Sequence, residues 1–398
     1  MFDCLQPLPP DAIIALMEQC KADPRPHKVD LGVGVYKDVA GTVPIMRAVK
    51  AAGQVIHDTE TTKSYVSTTG RTGFRDALLG VIFDDEDLVK SGGRFASAQT
   101  AGGSGALRLG AEIIKSAAPD ATVWVSTPTW ANHIPLISST GLKMDKYPYY
   151  NRDTLGVDFE DMLAHLTRHA KRGDVVLLHG CCHNPTGADL SPDQWDTLIS
   201  IMLDQGLTPF VDLAYFGLGR GLDEDAYGLR QVVARMPEAL MAASCSKNFG
   251  LYKERVGVLA VMCETPDQAS VAQTQLGSIQ RKLISMPPDH GALLVDTILN
   301  DGTLKRQWLD ELTDMRERMR NLRILLSEAL DVQGGEAIAA AVKNQNGMFS
   351  TLPLSPEQAV ALRDDHAIYI TNSGRINIAG ATVSTIPQIA DALLDVLS

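Results

Sequence analysis

The feature that most limits what this chain can fold into is a rhythm in its middle. Short apolar runs rich in Val and Leu recur at 122–126, 175–179, 209–213, 240–245 and 256–262. They lack the polar alternation of a half-exposed strand, as strands do when both faces of a sheet are covered. Helix signals lie between them. Ser191-Pro192-Asp193-Gln194 offers a cap, a first-turn proline and a capping-box partner, and predicts a helix to about Asp204. Strand and helix in alternation argue for a doubly wound α/β domain with a mostly parallel sheet.

The two ends read differently. Pro7, Pro9 and Pro10 predict an extended arm over residues 1–10, because proline lacks a backbone donor and breaks helices. Asp11 is placed to cap a short helix at 12–21. From about residue 303, Leu304, Trp308, Leu312, Met315, Met319, Leu322, Leu326 and Leu330 recur every three or four residues, the stripe of one long amphipathic helix. Short strand candidates follow, including 374–379, and then a last helix at about 386–397. A second, smaller α+β domain is the simplest reading.

Charge and cysteine usage narrow the function. The net charge of −12 argues against a uniformly basic nucleic-acid binder, so no nucleic-acid partner is expected. Any anion site must be locally positive against that background. The six cysteines (Cys4, Cys20, Cys181, Cys182, Cys245 and Cys263) form no C-x-x-C pair and read as reduced thiols. No apolar run has the length of a membrane span, and Met1-Phe2-Asp3-Cys4 lacks the basic start of a signal peptide. A cytoplasmic protein with no membrane partner is expected.

Three polar groups end consecutive apolar runs: His183-Asn184-Pro185-Thr186-Gly187, Asp212-Leu213-Ala214-Tyr215, and Ser244-Cys245-Ser246-Lys247-Asn248-Phe249-Gly250 with Arg255 beyond it. Ligands of open α/β sheets bind past the carboxyl ends of the strands, so these groups should converge on one crevice. An acid, a phenol, an amide, a lysine and an arginine together suit a cofactor with a ring, a carbonyl carbon and a phosphate. Gly102-Gly103-Ser104-Gly105, read as a loop before a helix from Ala106 to about Ala117, would bring free N–H groups to an anion. A dinucleotide is the competing cofactor, but Gly217-Leu218-Gly219-Arg220-Gly221 has the wrong spacing for G-x-G-x-x-G. His165/His169 lack the intervening Glu of a zinc helix, and His179/His183 fall across a strand end, so no metal is expected.

With these motifs on the page, the chain closely resembles the fold-type I, class I aminotransferases that use pyridoxal 5′-phosphate, in their aspartate and aromatic-amino-acid branch. The resemblance runs from Leu31-Gly32-Val33-Gly34-Val35-Tyr36-Lys37-Asp38 to Ser373-Gly374-Arg375-Ile376-Asn377. It implies a large domain over 45–315, with a mostly parallel seven-stranded sheet sandwiched by helices. It also implies an arm over 1–11, a smaller α+β domain from 12–44 and 316–398, and a homodimer with shared active sites.

The resemblance also distributes roles. Lys247 would form the Schiff base and shuttle a proton, since a confined lysine beside other cations has a lowered pKa. Asp212 would face the ring nitrogen, with His133 behind it. Tyr215 and Asn184 would bind the ring hydroxyl, and Trp130 would stack on the ring face. Arg255, Ser244, Ser246, Gly103 and Ser104 would hold the phosphate, joined by Tyr65 from the neighbouring subunit. Arg375 would clamp the substrate α-carboxylate with help from Asn184 and the Gly34 backbone, and Arg281 of the other subunit would pair with a distal carboxylate. Met286, Ser104, Val43 and Phe216 stand where strict aspartate members carry more polar or larger groups. Burying an aromatic side chain contributes about 1.5–3 kcal/mol, comparable with a charge-assisted hydrogen bond at about 1.5–3 kcal/mol. The expected substrates are therefore tyrosine, phenylalanine and tryptophan, with aspartate also accepted and 2-oxoglutarate as acceptor. A strict aspartate enzyme, another pyridoxal phosphate chemistry such as β-elimination or decarboxylation, and a non-catalytic ligand sensor are the competing readings.

Overall fold

In the computed structural model, all five apolar runs become adjacent strands of one sheet. The structure describes residues 1–8 and 10–397, and the side chains of all of these but 85–90. From one edge the seven strands are Phe95–Ala101, Val256–Met262, Ala239–Ser244, Thr208–Leu213, Val175–His179, Thr122–Thr127 and Lys143–Pro148. The sheet is parallel except for Val256–Met262, which runs antiparallel to both neighbours. A continuous apolar run marks a covered strand but carries no direction, so the reversal was invisible in the sequence.

The edge strands were not among the expected runs. Phe95–Ala101 reads FASAQTA, poor in β-branched residues, and is held by tertiary contacts instead. Gln273 Oε1 accepts from Ser97 N (2.8 Å), and Gln280 Nε2 donates to Gln99 O (2.7 Å), both from the helix Pro266–Leu283.

The helix signals formed largely where expected. Asp11 Oδ1 accepts from the backbone N–H groups of Ile13 and Ile14 at 2.9 and 3.0 Å, opening Ala12–Ala22. Ser191 and Gln194 complete a reciprocal capping box, and Pro192–Gln205 ends on Gly206 at φ 68°, the left-handed conformation that glycine adopts without a Cβ clash. One detail differs. The glycines at 102–105 are not a loop but the first turn of the helix Gly102–Ala117.

The long stripe forms Gly302–Asp331, burying all eight expected apolar residues. It also anchors a loop of the sheet: Trp308 Nε1 donates to Asn248 O at 2.8 Å, and its ring stacks on Phe249 at 4.5 Å. Beyond it stand the helices Glu336–Asn344, Pro356–His366 and Ile386–Leu397 and two small sheets. Val29–Asp30 pairs with Ile368–Tyr369, and Phe349–Thr351 with Arg375–Asn377. The candidate strand at 374–379 is thus shorter, turning into a 3₁₀ segment at Ile378–Gly380. Residues 1–8 and 10 form neither helix nor strand, and Pro9 of the expected arm lies outside the described residues. All six cysteines are free, and among the described residues no helix is long and apolar enough to cross a membrane.

Candidate active site

Strand register decides which side chains meet. His179 pairs with Asp212 and Asp212 with Ala242, so the strands Val175–His179, Thr208–Leu213 and Ala239–Ser244 end side by side. The loops that follow them carry Asn184, Tyr215 and Lys247. Those loops, the first turn of Gly102–Ala117 and the strand Arg375–Asn377 enclose a cleft of about 230 Å³.

One end of the cleft is built for an anion. Gly103 and Ser104 lie in a helix first turn that no side chain caps, leaving donors free beside Ser244, Ser246 and Arg255. The fit is close: a Cβ at Gly102 would lie 2.7 Å from the Arg255 guanidinium, and one at Gly103 would lie 3.1 Å from Ser244. Ser244 Oγ accepts from Ser246 N at 3.2 Å, which orders the turn.

Asp212 lies on another wall. Burial pushes its carboxyl upward, but a 3.0 Å hydrogen bond from His133 Nε2 and the charges of His133, His179 and Lys247 outweigh this and hold it below the usual carboxylate range. His133 is itself fully buried, and the half-buried Trp130 meets its ring edge-on at 5.3 Å. Lys247 Nζ stands 4.7 Å above the centre of the Tyr215 ring. Burial lowers the ammonium to about 8, with Asp212 opposing the shift and Arg255 adding to it. About half the lysine is thus free amine near pH 8. Tyr215 is raised by burial, so its phenol stays protonated, and it accepts from Asn184 Nδ2 at 3.3 Å.

Arg375 forms a second charged wall. It donates to Gly32 O (2.7 Å) and Asn184 Oδ1 (3.5 Å), and its guanidinium lies 4.4 Å over the Phe349 ring. Burial lowers its pKa, yet its Nε has no hydrogen-bond partner. A buried guanidinium with an unpaired donor is poised for a carboxylate. Gly34 lines the same wall because a Cβ there would meet Phe349 at 2.9 Å, and Asn377 Nδ2 pins its loop through Val33 O and Val35 O.

Twelve expected residues thus line one cleft, and His133 stands directly behind it. Tyr65 and Arg281 do not join them. Tyr65 is 90 % exposed, and Arg281, also exposed, donates to Ser285 Oγ on its own segment. Of the positions weighed for specificity only Ser104 reaches the wall. Phe216 is turned into the core, Val43 is 47 % exposed, and Met286 lies off the cleft. Within one chain, then, three of the four positions do not line the cleft. Apolar wall is supplied instead by Ile13, Leu107, Tyr252 and Phe349, none of which was expected. Tyr252 could have been found, since it sits between Lys247 and Arg255, and Arg255 Nη1 donates to its carbonyl. Ile13 carried no signal beyond helix periodicity.

Among the described residues neither histidine pair belongs to a group of three or more side chains with ion-binding spacing. His165 and His169 lie with ring centres 4.6 Å apart, and His179 and His183 4.1 Å apart. Among the described residues the grouping with ion-binding spacing is Cys181, Cys182 and Asp225, whose carboxylate already accepts from Gly217 N, Gly219 N and Arg220 N. The cleft itself, with an anion cradle, a carboxylate, a phenol, an amide and a lysine of lowered pKa, fits a phosphate-bearing aromatic aldehyde.

Comparison with known proteins agrees. The family model described as aminotransferase class I and II matches residues 26–393. An aromatic-amino-acid aminotransferase of Paracoccus denitrificans is 46 % identical over 396 residues, and an aspartate aminotransferase of Haemophilus influenzae 44 % over 397, each match covering both chains in full. The solved structure of an aromatic-amino-acid aminotransferase from Burkholderia pseudomallei, covalently bound to pyridoxal phosphate, superposes with a TM-score of 0.97 at 36 % identity over the whole of both chains.

Proposed function

The chain belongs to the class I and II aminotransferase family, in its aromatic-amino-acid and aspartate branch. From that premise we propose that its cleft holds pyridoxal 5′-phosphate and exchanges amino groups between tyrosine, phenylalanine, tryptophan or aspartate and 2-oxoglutarate in a ping-pong cycle. The observation that carries this reading is a single cleft in which a lysine near pKa 8 and a carboxylate held anionic face an uncapped helix N-terminus and an arginine.

Gly103, Ser104, Ser244, Ser246 and Arg255 hold the phosphate, Asp212 the ring nitrogen, Tyr215 and Asn184 the ring hydroxyl, and Trp130 the ring face. Bound there, the cofactor supplies an aldehyde carbon for the amino group and a ring that takes up the electron pair left at the substrate Cα. The chain supplies position and proton transfer. Arg375, with Asn184 and the Gly34 backbone, fixes the α-carboxylate and so orients the Cα–H bond. Lys247 Nζ, whose ammonium burial lowers to about 8, would take the Cα proton and deliver it to the carbon that carries the cofactor's aldehyde. His133 keeps Asp212 ionised. Phe349 and Ile13 add apolar wall to the cleft, and water displaced from it by substrate would strengthen each charge contact.

In this reading the active enzyme is a cytoplasmic homodimer in which Tyr65 and Arg281 reach the partner's cleft, with Arg281 receiving the distal carboxylate of dicarboxylic substrates. Both residues are exposed and uncommitted to their own chain's cleft. The deciding assay compares kcat/KM for aspartate with that for tyrosine and phenylalanine, with 2-oxoglutarate as acceptor. Appreciable turnover of all three supports dual specificity, and turnover of aspartate alone returns the protein to a strict dicarboxylate role.

A further inference from the structure

On the far side of the loops that carry Asn184 and Phe349 lies a second cleft, of about 390 Å³. Its walls are the turn 218–220, the face of the long helix carrying Arg316, Arg320 and Arg323, and the segment 343–347. Five cationic side chains line it, Arg220, Arg316, Arg320, Arg323 and Lys343, against the two carboxylates Glu224 and Glu317. In a chain of net charge −12 this is a concentrated positive field.

Neighbouring acids offset part of this charge, but two of them spend their acceptor atoms elsewhere. Asp225, behind the turn, accepts three backbone N–H groups. Asp189 accepts from Cys182 N, His183 N and Asn346 Nδ2. Glu317 is a loose partner, 3.8 Å from Arg316 Nε and 4.0 Å from Arg320 Nη1. Arg323 is committed to the carbonyls of Val342, Asn346, Gly347 and Phe349, so it gives the floor its charge but few donors. Arg220 makes one long contact to Asn346 Oδ1 at 3.5 Å, and the Arg316 Nε has no hydrogen-bond partner. Arg220, Arg320 and Lys343, all exposed, therefore line the cleft from three separate segments with few side-chain commitments.

We infer that this cleft is a second anion site, for a phosphomonoester dianion. A tetrahedral phosphate accepts hydrogen bonds from three directions, which suits donors converging from a turn and two helices, and arginine matches its oxygens bidentately. The cleft is larger than a phosphate group, leaving room for an organic portion. The proposal goes beyond the transamination site, since none of these residues lines the cleft of Lys247.

The test uses the cofactor-loaded protein, whose own phosphate cradle is filled. Glycerol 3-phosphate and, separately, inorganic phosphate are titrated calorimetrically at constant ionic strength against the parent, the double variant Arg320→Gln/Lys343→Gln and the single exposed variant Arg220→Gln. Saturable binding of one glycerol 3-phosphate per chain is expected, tighter than inorganic phosphate. The double variant should weaken it at least about tenfold and the single variant at least about threefold, with cofactor absorbance and kcat/KM in phosphate-free buffer unchanged. Equal affinity of parent and both variants, or no saturable heat in the parent, would overturn the site. Inorganic phosphate binding as tightly as the ester would overturn the assignment to a monoester.

Discussion

His133 Nε2 donates to Asp212 Oδ2 at 3.0 Å, and both residues are buried from solvent. Because the carboxylate accepts, Nε2 carries a proton, and the other ring nitrogen, Nδ1, pairs with Thr129 Oγ1 at 2.8 Å. The pair keeps a negative charge in an interior that would otherwise neutralise it. His133→Asn should therefore lower kcat about 10–100-fold, the loss of a hydrogen bond to a charged group, with little change in KM. Asp212→Ala should cost at least about 10²–10³ in kcat. Steady-state kinetics on both variants checks this; an unchanged kcat in His133→Asn would deny His133 a supporting role.

The shared active site is testable by mixing subunits. Arg281→Leu should weaken aspartate far more than phenylalanine, because only the dicarboxylate needs the distal cation. If Arg281 acts across the dimer, unfolding and refolding Arg281→Leu together with Lys247→Ala should regenerate aspartate activity that neither variant has alone. Mixed dimers with no more activity than the separate variants would place Arg281 elsewhere.

Stability and cofactor binding should fail together at Gly110. It lies on Gly102–Ala117, and a Cβ there would meet the Phe210 ring at 2.4 Å and Leu259 at 3.3 Å. Phe210 belongs to a central strand and is fully buried, so the helix must move instead. Gly110→Ala should lose about 1–3 kcal/mol of stability and, by shifting the uncapped first turn, weaken retention of the cofactor. Chemical denaturation and dialysis against phosphate-free buffer measure the two effects; loss of stability with unaltered cofactor retention would separate the helix from the cradle.

Acid sensitivity should trace in part to His183. The ring is 1 % exposed, stacked at 4.1 Å on Tyr149, and burial, reinforced by His179 and His133, holds its pKa well below the usual 6.5. Once pH falls below about 6.5, the unfolded chain binds the proton that the folded chain refuses, so stability falls with pH. The slope attributable to this one group is about 1.4 kcal/mol per pH unit over that window. His183→Gln should flatten unfolding free energy against pH by that amount between pH 6 and 5. An unchanged slope would mean the ring is protonated in the folded protein.

The sequence exposed this fold where local chemistry and tertiary context agree. Ser191 and Gln194 spell a capping box that needs no partner to form, and the apolar runs that end in Asn184, Asp212 and Ser244 name both the strands and the site at their tips. It was silent where neighbours decide. Phe95–Ala101 is a strand because Val256–Met262 and the helix Pro266–Leu283 pair and pack with it. Ile13 and Phe349 reach the cleft through the folding-back of distant segments, and nothing local marks them. Phe216 misled for the same reason: one residue after Tyr215, it points into the core while Tyr215 faces the site.

All of these assignments depend on one amine. The most direct measurement is the absorbance of pyridoxal phosphate added to cofactor-free Lys247→Ala, beside its transamination of tyrosine and aspartate. The variant should still retain the cofactor through Arg255, Ser244 and Ser246, yet lack the lysine–cofactor absorbance and all but a trace of turnover. Parental absorbance and near-parental turnover without Lys247 would contradict the account.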